Sequence, residues 1–193
     1  LHAQELGYAI KLLAIGSRVD EGLELKVHPA LVPQSHPLAS VNDVFNAVLV
    51  RGSSVGDVMF YGRGAGSLPT GSAVAGDIID VARNIVADST GRMHDTGFGK
   101  KPVVPVDQTR SQFYLRLLAL DRPGVIARVA TILGNYEVSI ASVVQRNSHE
   151  DLAEIIWVTH PAPEGRFRAA LAEIKALDVV REVGSVLRVF NGD

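Results

Sequence analysis

The sequence contains no cysteine, no long apolar run and no excess of charge of either sign. Without cysteine it can form no disulfide framework and no thiolate metal site, and a reducing compartment such as the cytoplasm is expected. No stretch approaches the roughly 20 apolar residues of a membrane-spanning helix, and no signal-peptide pattern opens the chain. A net charge of −2 with both signs interspersed offers no basic face for nucleic acid. We therefore expect neither membrane nor nucleic-acid partners.

The chain is long and apolar enough to fold. Its 193 residues, 47% of them hydrophobic, predict one large domain or two small ones. It begins at Leu1, within a pattern typical of the end of a helix over residues 1–6, and Gly7 stands where a left-handed terminating residue belongs. We therefore expect it to be the C-terminal portion of a longer protein.

The first half predicts two β-hairpins followed by a helix. Residues 8–15 and 23–29 read as one strand pair, and residues 45–51 and 55–61 as a second. The helix is predicted over residues 72–87, with a buried apolar face. That face consists of Val74, Ile78, Ile79, Ala82, Ile85 and Val86.

A glycine-rich loop, Gly62-Arg63-Gly64-Ala65-Gly66, lies between the fourth strand and the helix. Its glycines allow positive φ and close approach of a ligand to the backbone. Pro69 suits a helix start, and Thr70 or Ser72 is predicted to cap the first turn. A strand, a glycine loop and a helix N-terminus together favour docking of an anion or a flat ligand.

Two common interpretations of this loop fail. The dinucleotide fingerprint requires a third glycine where Ser67 stands, and no phosphate-loop lysine follows. A tight turn that only joins strand to helix remains an open alternative.

Other polar candidates are weak. His28 and His36 each precede a proline, and their spacing matches no common metal site. Asp77 and Asp80 lie three residues apart on the predicted helix, where carboxylates commonly oppose the helix dipole. We predict no metal site and no catalytic residue in this chain.

The second half predicts a separate small domain. Residues 89–110 are rich in glycine and proline and read as a linker between a first domain, 1–88, and a second, 111–193. The second domain has the order βαββαβ, which is ferredoxin-like. The predicted fold class is therefore α+β, a mixed or antiparallel sheet with packed helices followed by this domain.

The turn Asp121-Arg122-Pro123-Gly124-Val125, followed after a helix by Val138-Ser139-Ile140, resembles an ACT domain, a regulatory module that binds amino acids. The resemblance implies an effector site formed by Asp121, Arg122, Pro123, Gly124 and Val125. A ferredoxin-like unit used only for dimerisation is the alternative.

The first half resembles the later catalytic region of homoserine dehydrogenase, of the long bacterial form that ends in an ACT domain. The resemblance lies in five segments: Glu5-Leu6-Gly7-Tyr8, Ile10-Lys11-Leu12-Leu13-Ala14, Val27-His28-Pro29, His36-Pro37-Leu38-Ala39, and the glycine loop with Pro69-Thr70.

This resemblance implies a function. Homoserine dehydrogenases interconvert L-homoserine and L-aspartate 4-semialdehyde with NAD or NADP, in threonine, methionine and isoleucine biosynthesis. It implies that the cofactor is bound mainly by an upstream domain, with contacts here from Gly64, Ala65, Gly66 and Thr70. It also implies upstream catalytic residues, a dimer or tetramer formed through the central sheet and the ACT domains, and feedback by L-threonine. The alternative is a non-catalytic regulatory or dimerising protein that senses an amino acid.

Overall fold

A computed structural model describes residues 2–20, 22–89, 99–147 and 151–192. The chain forms two compact units. The first comprises Leu1–Gln34 together with Lys101–Asp193, and the second Ser35–Lys100. The first hairpin thus belongs to the same unit as the C-terminal half, a division that differs from the predicted boundaries at residues 88 and 110.

The described residues contain four α-helices and nine strands. The helices are α1 His2–Glu5, α2 Ser67–Val86, α3 Val125–Asn135 and α4 Glu164–Lys175. The strands are β1 Tyr8–Val19, β2 Gly22–Pro33, β3 Phe45–Gly52, β4 Gly56–Arg63, β5 Arg110–Leu120, β6 Ile140–Asn147, β7 Leu152–Thr159, β8 Ala162–Pro163 and β9 Val180–Val189.

The first unit is organised around one sheet, in which the strands run in the order β1-β2-β9-β5-β7-β6, with β8 paired to β5. The last four strands of this order are the predicted βαββαβ domain, which confirms that part of the fold. The parallel pairing of β2 with β9, through Ala30 opposite Arg188 and Leu31 opposite Val189, was not predicted. It adds the first hairpin to the sheet of the second domain.

The main core lies between this sheet and helices α3 and α4. Alternate residues of β5 point to the helices, among them Phe113, Leu115 and Leu117, all almost completely buried. Phe113 stacks on Phe167 of α4, with ring centroids 3.8 Å apart. The apolar spacing of α3 gives it a buried face of Val125, Val129, Ile132 and Leu133, whereas Ile126 of the same apolar set is 38% exposed.

A second, smaller core lies on the opposite face of the sheet. Leu31 of the first hairpin packs there with Tyr114, Ile156 and Val189. Ala3 and Leu6 pack against this cluster from the start of the chain. The first hairpin is therefore held to the second domain by apolar contacts as well as by strand pairing.

The second unit contains the β3–β4 hairpin and α2. The hairpin pairs in register from Phe45 opposite Arg63 to Gly52 opposite Gly56. The predicted burial of the apolar face of α2 is wrong for this chain, because the helix has no buried residue and Ile78 is 63% exposed. The described residues thus supply no cover for this face.

The second strand is longer than predicted, because β2 continues beyond the predicted residues 23–29 through Pro33, which pairs with Tyr8. Of the predicted linker, residues 90–98 lie outside the described residues, and in the rest the Pro102 carbonyl accepts a hydrogen bond from the Leu23 amide at 2.9 Å. Residues 148–150, between β6 and β7, also lie outside the described residues. Among the described helices, none is both long and apolar enough to cross a membrane.

Candidate functional site

The glycine loop leads directly from β4 into α2. Gly66 is the residue before the helix. Its backbone has φ 130° and ψ 148°, a conformation that residues other than glycine rarely adopt. The predicted cap by Thr70 or Ser72 is wrong, because the helix starts at Ser67 and the Thr70 amide donates to the Gly66 carbonyl at 3.0 Å. Pro69 is tolerated within the first turn, since its nitrogen needs no helical acceptor.

Gly66, the residue before this helix, provides no side-chain cap. The first-turn amides therefore face the loop without a side-chain acceptor from the capping position, and the positive end of the dipole of a 20-residue helix lies there. Residues 61–68 are all exposed. A ligand with a negative or polar edge can thus reach the backbone of Gly64, Ala65 and Gly66.

The loop is anchored at the end of the β3–β4 hairpin. The Gly64 amide donates to the Val44 carbonyl at 3.4 Å, and the Gly64 α-carbon packs against the Asn46 side chain. A Cβ built on Gly64 would lie 2.7 Å from the Asn46 side-chain carbonyl carbon, closer than such atoms approach. Gly62, by contrast, has open space where a Cβ would be.

An aromatic stack stiffens the same end of the hairpin. The rings of Phe45 and Tyr61 stack at 4.9 Å with an interplanar angle of 13°. The Arg63 guanidinium lies over the Phe45 ring, 5.4 Å from its centroid, in a cation–π arrangement. These contacts hold the end of β4, where the loop begins, against the start of β3.

The other polar candidates have local structural contacts. The His36 side chain accepts a hydrogen bond from the Leu38 amide at 3.2 Å, at the start of a short 3-10 helix. The Asn84 side chain donates to Asp80 at 3.2 Å. Asp77 and Asp80 are exposed on α2. In the described part of the chain, no cluster of three or more histidine and carboxylate side chains is suited to a metal ion.

The turn Asp121–Val125 lies where β5 ends and α3 begins. Gly124 is the residue before the helix and has a left-handed backbone with φ 88°, so it provides no side-chain cap. Arg122, Pro123 and Gly124 are exposed, whereas Val125 is buried and anchors the turn to the core. The five predicted residues thus include an exposed helix N-terminus suited to a carboxylate.

Asp121 connects this turn to two other elements. Its amide donates to the Asp151 carbonyl at 2.8 Å, next to the start of β7. Its carboxylate accepts a hydrogen bond from the Gln145 side chain of β6 at 2.9 Å. Gln145 was not predicted as a site residue, because its position near the turn depends on the order of the strands in the sheet. The available signal was a polar residue within β6, a strand of the same domain as the glycine-containing turn.

Comparison with known proteins places these features in a family context. Residues 1–79 match the family model described as homoserine dehydrogenase, and residues 113–179 match the ACT domain model. The chain is 41% identical over 194 residues to a homoserine dehydrogenase of Neisseria gonorrhoeae, covering 97% of this chain and 45% of that protein. It is 44% identical over 199 residues to one from Synechocystis, covering 98% of this chain and 46% of that protein.

Solved structures give the same result. The crystal structure of a homoserine dehydrogenase from Thiobacillus denitrificans matches with a TM-score of 0.88 and 41% identity, over 98% of this chain and 44% of that one. A homoserine dehydrogenase from S. aureus matches with a TM-score of 0.63 and 30% identity over a similar span. The chain therefore spans less than half the length of the relatives that it matches.

Proposed function

The chain belongs to the homoserine dehydrogenase family, and we propose that it supplies the later catalytic region and the amino-acid-sensing tail of such an enzyme. The complete enzyme would interconvert L-homoserine and L-aspartate 4-semialdehyde with NAD or NADP. The observation that carries this proposal is the order of the two family matches along one chain, together with 41% identity over 97% of it.

The proposed organisation retains the predicted boundaries. Residues 1–88 would belong to the catalytic and dimerisation region, residues 89–110 would link it to the tail, and residues 111–193 would be the regulatory domain. The chain would correspond to the C-terminal portion of the enzyme, with the nucleotide-binding fold and the catalytic residues upstream. On this view the chain is inactive alone.

The glycine loop would contact the cofactor. The exposed backbone of Gly64, Ala65 and Gly66 and the uncapped first turn of α2 fit a ligand with polar or anionic edges. Thr70 lies in that turn, where its exposed hydroxyl can also reach a ligand. The nicotinamide, when bound, supplies the hydride chemistry, while this chain's residues provide close approach and position.

The tail turn would bind the effector. The first-turn amides of α3 and the helix dipole suit the carboxylate of an amino acid. The left-handed Gly124 leaves space beside them, because it has no side chain. We favour L-threonine as the effector, since it is an end product of the pathway in which homoserine is formed.

The chain would function as a homo-oligomer. Between Leu12 and Gly16 of β1 and their partners on β2, one face of the hairpin carries only apolar residues or glycine. Leu12 and Val27 lie on this face and are each 74% exposed. A contiguous apolar face of this kind is typical of a protein interface. We propose a second copy of the chain as its partner, with a dimer or tetramer as the assembly.

A chimera tests the proposed enzyme. In it, this chain replaces the matched stretch of the Neisseria gonorrhoeae relative, whose remaining sequence supplies the rest of the enzyme. We expect the chimera to oxidise L-homoserine with NAD or NADP, and the 193-residue chain alone to show no turnover. The intact relative serves as the positive control.

Two outcomes would contradict the proposal. A chimera that folds, as judged by circular dichroism and cooperative melting, but does not turn over would remove the catalytic assignment. It would favour a regulatory or dimerising protein. Turnover by the 193 residues alone would show that the catalytic groups lie within them.

A further inference from the structure

Strand β9 extends from the proposed effector turn to the first hairpin. It runs antiparallel to β5, so that Val180 lies opposite Ala119 at one end and Val189 opposite Gln112 at the other. The amide of Leu120, which precedes the turn, donates to the Val179 carbonyl at 2.9 Å. A displacement of the turn therefore acts directly on the first residues of β9.

At its other end β9 pairs with β2, and we call this pairing the seam. The seam consists of Ala30 opposite Arg188 and Leu31 opposite Val189, extended by a hydrogen bond of 2.8 Å from the Phe190 amide to the Leu31 carbonyl. Ala30 and Leu31 are essentially inaccessible to solvent. Ala30 and Leu31 lie within residues 1–79, which match the dehydrogenase family model, and β9 follows directly after residues 113–179, which match the ACT model.

An ion pair holds the seam against α4. The Arg188 guanidinium donates two hydrogen bonds to the Glu164 carboxylate, one of them at 3.0 Å, and the Glu164 side chain is only 8% exposed. The Glu164 amide also donates to the Thr109 carbonyl at 2.9 Å. A buried carboxylate with a bidentate arginine partner has a strongly preferred geometry, since moving either group leaves a charge unpaired.

Between the turn and the seam, β9 departs twice from regular pairing with β5. The register shifts leave Arg181 and Gly184 without a partner residue. The Arg116 side chain occupies the space that a Cβ on Gly184 would need. A Cβ added to Gly184 would lie 2.6 Å from the Cζ atom of Arg116. Arg116 is in turn paired with Glu154 of β7 at 2.8 Å. Such bulges are the points at which a strand adjusts its pairing and twist.

We propose that β9 transmits occupancy of the effector turn to β2, and that the Arg188–Glu164 pair fixes the receiving end of this connection. The inference depends on the proposed function, because it needs an amino acid bound at the turn. A bound amino acid would restrict Leu120 and Val179, β9 would adjust at its bulges, and the seam would carry the change into the hairpin. Arg188 is then a positioning residue for regulation, with no part in turnover.

Hydrogen exchange on the 193-residue chain tests this connection directly. Each of the twenty amino acids, with L-threonine first, is added at millimolar concentration and amide exchange is followed by mass spectrometry. We expect slower exchange at residues 120–128 and also, by about fivefold or more, in β2 at residues 30–33. In Arg188→Gln the protection at residues 120–128 should remain, whereas that at residues 30–33 should be lost.

The matched control is Arg166→Gln. Arg166 lies on α4, two residues after Glu164, and pairs with another glutamate, Glu137, but this pair is on the surface. We expect Arg166→Gln to retain both protected regions. In Arg188→Gln the buried Glu164 keeps only a more distant partner, Arg168, at 4.0 Å. If this variant fails to fold, the double variant Glu164→Gln, Arg188→Gln removes both charges of the seam pair and should show the same loss in β2.

The outcomes separate the two proposals. Protection at the turn without any in wild-type β2 would overturn the connection through β9 and leave effector binding intact. Unchanged β2 protection in both seam variants would overturn the role of the ion pair. No protection at the turn with any amino acid would overturn both the effector site and the connection.

Discussion

Asn46 and Gly64 fit together so closely that the space for a Cβ on Gly64 is already filled by the Asn46 side-chain amide. The two residues lie at the end of the β3–β4 hairpin, where the loop begins. The requirement for glycine at position 64 therefore arises from a neighbouring side chain, whereas at Gly66 it arises from the positive φ.

The first prediction concerns this fit. Gly64→Ala should force the Asn46 amide away and lower the melting temperature of the chain, whereas Gly62→Ala, which meets open space, should not. Asn46→Ala combined with Gly64→Ala should recover the loss, with a coupling of about 1 kcal/mol measured by a double-mutant cycle of urea unfolding. Equal effects of the two glycine variants would contradict the packing argument.

The second prediction concerns cofactor contact by the loop. In the active chimera, Gly66→Val should raise KM for the cofactor or lower kcat at least tenfold, equivalent to about 1.4 kcal/mol of lost positioning. The reason is that valine blocks backbone approach and disfavours the observed φ of 130°. Gly71→Ala, in the helix with open space around it, is the control and should have wild-type kinetics. A well-folded Gly66→Val with unaltered kinetics would leave the loop a structural turn.

The third prediction separates charge from shape at the effector turn. Gly124→Asp and Gly124→Asn introduce side chains of nearly the same size, and asparagine and aspartate both tolerate a left-handed backbone. Isothermal calorimetry with L-threonine should therefore detect binding to Gly124→Asn, weakened at most several-fold, and none to Gly124→Asp, whose carboxylate repels that of the ligand. Equal binding by the two variants would argue against a carboxylate at this helix start.

The fourth prediction concerns pH. His28 is half-buried on β2, and burial lowers its pKa below the usual 6.5, with Arg188 and Lys26 acting in the same direction. A hydrogen bond to the Pro29 carbonyl and the Glu164 carboxylate oppose this shift. Between the lowered pKa and 6.5 the unfolded chain binds more protons than the folded one. The free energy of unfolding should therefore fall as the pH drops below 6.5, and His28→Gln should reduce this dependence.

Nuclear magnetic resonance gives an independent measurement of the same residue. The His28 ring signals should titrate below pH 6.5 in the wild-type chain and at a higher pH in Arg188→Gln, because a nearby positive charge is removed. Titration of His28 at or above 6.5 in the wild type would contradict the burial argument.

The second domain was the part of the fold best predicted from the sequence. Its helix α3 and its strands carry local periodic patterns, and each pattern reports which face is buried within the same domain. The seam was missed because it joins residues far apart in the chain. One signal was present: the alternation from Leu23 to Val27 gives way to the continuous apolar run Ala30-Leu31-Val32, which is typical of a strand buried on both faces.

The candidate sites were likewise predicted only where local sequence patterns determine the structure. The positions of Gly66 and Gly124 followed from turn chemistry, and both have positive φ. The contacts of Asn46 and Gln145 depend on strand pairing that no local pattern specifies. For α2 the periodicity correctly indicated an apolar face at Ile78 and Ile85, but it could not indicate that the described residues leave this face exposed.

The parallel pairing of β2 with β9 also constrains how the protein can fold during synthesis. Leu31 emerges from the ribosome long before Val189, so the first hairpin cannot complete its pairing with β9 until Val189 has been made. Until then the apolar edge of β2 remains exposed, and such late, long-range pairing is slow and prone to aggregation. Loss of β9 alone would therefore expose the edge of β2, a strand far earlier in the sequence.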